Sequence, residues 1–243
     1  KEKLDKTKYD LVAVVHAETS TGVCNPIEEI STFVQQNGAL YLVDCVTSLG
    51  GIEVKMDDWN IDAIYSGTQK CLSCPPGLAP VSFSTKALEK LNNRKSKVPN
   101  WYLDLSMITQ YWSGDARVYH HTAPINMLYG LYQACYNILD EGLDIVIQRH
   151  QNMHDLLVSE LKSIGLELFV KENDRLPMLN SIIIPDDIED VEVRSKLLNE
   201  YQIEIGGGLG SLTGKIWRIG IMGETAKKES IQKLMDAFRK IIN

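Results

Sequence analysis

No apolar run in this 243-residue sequence approaches the roughly 20 consecutive residues that a membrane-spanning helix needs. The longest are short, such as Leu11-Val-Ala-Val-Val15. An excess of positive charge is lacking too. There are 25 lysines and arginines against 32 aspartates and glutamates, a formal charge of -7, which speaks against a nucleic-acid-binding surface. Cysteine is sparse: five residues, an odd number, scattered and without a signal peptide at the front. That pattern reads as an intracellular protein with free thiols, not a disulfide framework. The tail, Lys240-Ile-Ile-Asn243, is not of the Ser-Lys-Leu peroxisomal type. Internal repeats and low-complexity segments are absent. The composition, 44% hydrophobic and 23% charged, is that of an ordinary globular chain, long enough for a large and a small domain. The first residue is Lys1 and not Met, so the chain reads as a fragment whose targeting signals would lie upstream.

The first third alternates strand and helix patterns. Residues 9–16, 39–46, 61–66 and 78–84 are apolar, β-branched runs that read as buried strands of a mostly parallel sheet. Asn25-Pro26 opens a helix through about residue 36, with Glu28 and Glu29 in its first turn and Gly38 ending it. Pro124 suits a first helical position. Leu128, Leu131, Tyr132, Cys135, Ile138 and Leu139 then follow the spacing of one helix face. Gly142 is a break point, and the helical pattern resumes to Gly165. Strands are expected at 166–170, 181–185, 203–206 and 216–222, with helices at 191–201 and 226–242. The division expected is therefore 1–123, part of a large domain; 124–165, a helical connection; and 166–243, a small α+β domain.

Three features carry chemistry. In Tyr41-Leu-Val-Asp44 a buried strand delivers a carboxylate at its C-terminal end, the edge where parallel α/β sheets bind ligands; alternatively Asp44 caps the next turn. In Ile64-Tyr-Ser-Gly-Thr-Gln-Lys70 a second strand ends and a lysine follows; alternatively it is a solvated loop lysine. Together the two suit pyridoxal phosphate, which needs an amine for its aldehyde and an anion beside its pyridine nitrogen. Lys70 would supply the first and Asp44 the second, with Val46 packing on the ring. In Ile216-Trp-Arg218-Ile-Gly220 an arginine sits inside an apolar strand. A buried guanidinium needs an anion, and its planar fork suits a substrate carboxylate; an internal salt bridge is the alternative. Donors for a phosphate could come from the Glu18-Thr-Ser-Thr-Gly22 turn, from Gln69, or from Tyr119-His-His-Thr122.

These stretches make the sequence similar to the alanine–glyoxylate and serine–pyruvate aminotransferases of the class V group, within the fold-type I (aspartate aminotransferase-like) pyridoxal-phosphate enzymes. The matching segments are HAETSTG at 16–22, LVDCVTSLGG at 42–51, DAIYSGTQKCLSCPPG at 62–77, VYHHTAP at 118–124, EIGGGLG at 204–210 and WRIG at 217–220. The resemblance implies Lys70 as the Schiff-base lysine, Asp44 as the partner of the pyridine nitrogen and Val46 as the residue under the ring. It implies Thr19 close to the cofactor, Gln69 on the phosphate, and Tyr119 and Thr122 on the phosphate of the other subunit's cofactor. Arg218 would hold the substrate carboxylate. It further implies a homodimer with active sites at the interface, and transamination from alanine or serine to an oxo acid such as glyoxylate. The compartment implied is peroxisomal or mitochondrial, with cytosol also open. Relatives are longer at the front, so a chain confined to residues 1–243 is expected to lack part of the pocket and to be inactive alone.

Three rivals stand beside this reading. The 3-hydroxykynurenine transaminases share the same motifs. Cysteine desulfurases resemble the lysine segment but place a His directly before the lysine, where this sequence has Gln69. A non-catalytic dimerising fragment is the third. The C-x-x-C of Cys71 and Cys74 would suit a metal only with a second ligand pair. The adjacent His120 and His121 point in different directions on most backbones, so no metal is expected.

Overall fold

A computed structural model of the chain describes residues 1–113 and 118–242. The chain opens with a short helix α1 (Glu2–Lys6) and strand β1 (Leu11–Val15). A two-residue ladder follows, β2 (Ala17–Glu18) against β3 (Val23–Cys24), then helix α2 (Ile27–Asn37) and strands β4 (Leu40–Asp44), β5 (Ala63–Tyr65) and β6 (Val81–Phe83). The large sheet has the order β1-β4-β5-β6. Its first three strands are parallel and β6 runs antiparallel to β5, so the sheet is mostly parallel, as expected.

Helix α2 shows why these residues fold here. Pro26 occupies its N-cap, and Glu28 and Glu29 lie in the first turn, where the helix dipole favours acids. Gly38 ends it at φ +81°, its N–H donating to Val34 O and Gln35 O, a left-handed cap that costs glycine little. The helix lays Ile27 and Val34 on the sheet against Tyr41 and Val43. Val34, Tyr41 and Val43 have no exposed surface, and burying each such side chain stabilises the fold by about 1.5–3 kcal/mol.

Strand β1 departs from the buried strand its sequence suggests. Among the described residues it pairs with β4 alone. With α2 covering one face, Leu11 on the other remains 49% exposed. The run expected at 78–84 shrinks to three residues. Beyond it lie two helices that the sequence reading did not anticipate, α3 (Thr85–Asn92) and α4 (Leu105–Ser113). Ser84 caps α3, its hydroxyl accepting from Ala87 N.

Helices α5 (Ile125–Glu141) and α6 (Leu143–Ser163) follow, separated by Gly142 at φ +97°. The apolar face read for α5 is not one buried stripe. Leu128, Tyr132 and Leu139 are exposed, while Leu131, Cys135 and Ile138 are half-buried. Helical spacing shows which residues share a side, not whether anything packs there.

The last third holds β7 (Leu179–Ile183), α7 (Asp190–Tyr201), β8 (Gly206–Gly207), β9 (Ile216–Gly220) and α8 (Lys228–Ile242). The sheet order is β7-β9-β8, all antiparallel. Residues 166–170 add only a bridge, Leu168 to Ile182, flanked by backbone hydrogen bonds. The strand expected at 203–206 starts late because Ile203 N–H closes α7 on Leu197 O. Trp217 and Phe238 meet at 5.6 Å between centroids at the heart of this core, packed with Leu157 and Leu161 of α6. A smaller cluster of Ala17, Cys71, Leu176, Met178 and Leu179 joins the two ends of the molecule.

Candidate active site

The ends of β4 and β5 lie side by side, with Asp44 opposite Tyr65. Cys45 N–H donates to Tyr65 O at 2.8 Å and the Ser66 hydroxyl to Cys45 O at 3.0 Å. The two exits are therefore zipped for another residue each. Asp44 Oδ1 accepts from Val46 N–H at 2.8 Å, so the carboxylate does cap its own turn. Its Oδ2 accepts from the Tyr65 hydroxyl at 2.7 Å. That bond to the carboxylate, aided by burial, raises the Tyr65 hydroxyl to about 12. Tyr65 was not among the residues picked from the sequence. Its role depends on strand register, and the only signal was its place at the end of an apolar run beside the lysine segment.

The segment after β5 turns sharply. Thr68 donates its hydroxyl to Pro75 O and accepts Cys74 N–H at its carbonyl, closing the loop that carries Lys70. A methyl on Gly67 would meet Gln69 Oε1 at 2.7 Å and Val46 Cγ1 at 3.3 Å. Glycine there lets Gln69 fold back and brings the loop against Val46. Cys71 is buried and donates its thiol to Thr47 O at 3.2 Å, and burial pushes that thiol up to about 12. Lys70 itself is half-buried, and its amine has no hydrogen bond or ion pair among the described residues. An amine held at a sheet edge without a partner is available for chemistry.

Arg218 crosses to this edge from the small sheet. Its Nε donates to Gly207 O at 2.8 Å and its Nη1 to Thr19 O at 3.0 Å. Thr19 follows β2 by one residue, and His16, just before β2, donates its N–H to Asp44 O. Asp44, Thr19 and Arg218 are thus tied to one place. Among the described residues Arg218 has no carboxylate partner, so the internal salt bridge left open by the sequence is not formed there. Two carbonyls orient the guanidinium while its Nη2 stays unpaired among those residues. A methyl on Gly206 would lie 3.3 Å from that nitrogen, which gives the glycine at this position a purpose: room for the guanidinium.

Tyr119 and Thr122 share a 2.7 Å hydroxyl bond on the surface. No hydrogen bond joins them to Asp44, Lys70 or Arg218 among the described residues. His120 stacks on Trp101 at 4.3 Å and its Nδ1 lies 2.7 Å from that of His121. Contrary to the expectation that adjacent histidines diverge, these two meet. No cluster of three or more His, Cys, Asp or Glu that could hold a metal occurs among the described residues. Cys71 and Cys74 are free and buried.

Comparison with known proteins gives the family. Residues 1–234 match the family model "Aminotransferase class-V". The chain is 37% identical to a (S)-ureidoglycine–glyoxylate transaminase of Bacillus subtilis, over 94% of its own length and 59% of the relative's. It is also 37% identical to an alanine–glyoxylate aminotransferase of Drosophila melanogaster, over the same two shares. A crystal structure of an alanine–glyoxylate aminotransferase from Nostoc superposes with a TM-score of 0.96 at 45% identity, covering 100% of this chain and 64% of that one. The chain therefore spans about three fifths of the length of these relatives. It belongs to the class V aminotransferase family, and it has that family's fold.

Proposed function

We propose that the protein containing this chain is a pyridoxal-phosphate-dependent aminotransferase that passes an amino group from alanine or serine to glyoxylate. The carrying observation is Arg218: a guanidinium brought across from the small sheet, oriented by two carbonyls and left without an acid among the described residues. Such a fork suits an α-carboxylate in two-point contact. The residues present also fit the cofactor. Asp44 offers a fixed carboxylate oxygen beside the Tyr65 hydroxyl, and Lys70 offers an unpaired amine on the neighbouring strand exit. Thr19, Gln69 and Val46 line the same edge. Tyr119 and Thr122, exposed, would reach a second copy's cofactor.

Bound pyridoxal phosphate supplies an electron sink for the bond broken at the substrate's α carbon. Lys70 would hold it covalently through Nζ. Asp44 would keep its ring nitrogen protonated, and Val46 would pack on the ring. Lys70 Nζ would also be the base that takes the proton from the donor's α carbon. Arg218 fixes the donor's carboxylate, so that the α C–H keeps one orientation towards Lys70.

Glyoxylate is common to the names of the relatives compared above, while their donors differ; this supports glyoxylate as acceptor and makes ureidoglycine a donor to test beside alanine, serine and 3-hydroxykynurenine. The partner proposed is a second copy of the chain. Ile125, Leu128, Tyr129, Tyr132, Tyr136 and Leu139 form an exposed apolar stripe along α5 that a dimer would cover. The division proposed is a large cofactor-binding part to residue 123, a helical connection to 165 and a small part to 243.

Borohydride reduction in the presence of pyridoxal phosphate, followed by peptide mass analysis, tests the reading. Selective labelling of Lys70, lost in Asp44→Ala, is expected. Labelling scattered over surface lysines in a protein extended to its relatives' length would overturn it.

A further inference from the structure

One junction is built more carefully than the site chemistry above requires. It lies where β9 leaves Arg218 and returns over the lysine loop. Five residues after Arg218, the chain turns at Gly223, at φ +54°. Gly223 N–H donates to His150 Nε2 at 2.8 Å, and His150 Nδ1 lies 2.8 Å from Val146 O. Because a backbone N–H can only donate, Nε2 must be the bare nitrogen and Nδ1 must carry the proton. His150 is fully buried, so it serves as a neutral acceptor aimed at one amide. Beside it, Arg149 forms a two-point ion pair with Glu141 at 2.6 and 3.0 Å. Its Nη1 also donates to Gly223 O at 2.8 Å and to Ala226 O at 3.2 Å. The turn is thus held from both its amide and its carbonyl.

The same turn presses on the lysine loop. Glu224 N–H donates to the Ser73 hydroxyl at 2.9 Å, and Ser73 N–H donates to Lys70 O at 3.0 Å. A methyl on Gly223 would lie 1.8 Å from Ser73 Oγ and 2.9 Å from Cys71 O. Ser73 is one of three non-glycine residues at positive φ among the described residues, at +56°. Such a backbone is strained for a residue with a side chain. The serine keeps it, and its hydroxyl receives the turn.

We propose that His150 and Ser73 are positioning residues that couple the seating of a carboxylate on Arg218 to the placement of Lys70, through the Gly223 turn. This rests on the reading of Arg218 and Lys70 given above. A carboxylate that fixes Arg218 fixes the end of β9. The turn that follows is anchored on α6 by His150 and Arg149, so a shift of β9 is passed to Ser73 and not lost in a slack loop. Ser73 hands it to Lys70 through one backbone hydrogen bond. The charged groups around the turn are Arg149, Glu141, Glu224, Lys227, which pairs with Glu224 at 2.7 Å, and Lys70 itself.

The test uses the cofactor-loaded enzyme and propionate, a carboxylate without an amine. The readout is the pH midpoint of the bound cofactor's absorption change, with and without saturating propionate. Ser73→Gly removes the whole side chain, the hydroxyl included, and relieves the positive φ. His150→Leu removes the acceptor. His150→Gln returns an oxygen towards the Gly223 amide. In the unaltered enzyme propionate is expected to shift the midpoint. The shift should fall by at least half in Ser73→Gly and His150→Leu and recover in His150→Gln. The kcat/KM for the amino donor should drop by about tenfold, mostly through KM. A full shift in Ser73→Gly would mean that propionate acts through space alone and would overturn the coupling. So would the absence of any shift in the unaltered enzyme. If His150→Leu does not fold, Ser73→Gly decides alone. Propionate binding that survives Arg218→Gln would instead sink the carboxylate reading of Arg218, a result separable from the other two.

Discussion

The small sheet closes on its own core, whereas the four-stranded sheet leaves one side open. Helices α6, α7 and α8 pack the small sheet so that Trp217, Phe238, Ile182 and Leu197 have no exposed surface. On the large sheet α2 covers one side, and the other presents Ala13, Val15 and Leu42 beside Asp44 and Tyr65 in a shallow cleft. The difference separates two jobs. The closed core supplies stability, while the open side keeps apolar residues uncovered beside the polar groups at its edge.

Three measurements would sharpen or break that contrast. Trp217→Ala removes the largest fully buried side chain and the indole donor to Asp190 at 3.0 Å. It should lower the unfolding free energy by about 3–5 kcal/mol in a urea titration. A loss under ~1 kcal/mol would show that the small core is not where stability resides.

The second effect concerns acid. His16, at the end of β1, is buried against the edge of Trp59, and its Nδ1 has no partner among the described residues. Burial lowers its pKa from 6.5 to about 4. The folded form therefore holds His16 neutral while the unfolded chain binds a proton. Stability is complete above pH 6.5 and falls as the pH drops towards 4, by on the order of 3 kcal/mol from this residue. His150 and His154 are lowered by burial too and add in the same direction. His16→Gln should flatten much of the dependence between pH 6.5 and 4. An unchanged slope would move the acid sensitivity to the α6 histidines.

The smallest effect is expected at the open edge. Tyr65→Phe takes one hydrogen bond from a half-buried carboxylate that keeps its bond to Val46 N–H. Urea titration should show a loss of about 1 kcal/mol or less. A loss as large as that of Trp217→Ala would mean that the edge is part of the folding core after all.

Much of this was legible in the sequence, for reasons that differ by residue. The positions of Asp44 and Lys70 at neighbouring strand exits could be read because a buried strand must end where its apolar run ends. Arg218 could be read because a guanidinium in an apolar strand demands a partner. Tyr65 could not, since its bond to Asp44 needs the parallel register of β4 and β5, which no local pattern states. The exposure of β1 and of half the α5 face escaped for a related cause: periodicity names a face but not its cover. Helices α3 and α4 escaped because they are short, 8 and 9 residues, too brief for a helical period to stand out from the flanking loops.

Arg218 reaches Thr19 across 199 residues of chain. At a synthesis rate of about 5–20 residues per second, roughly 10–40 s separate the appearance of the two on the ribosome. Through that interval the sheet edge with Asp44 and Lys70 can form without its arginine. The contact that ties Arg218 to Thr19 is therefore made late in synthesis, onto strand exits at Asp44 and Lys70 that are already in place.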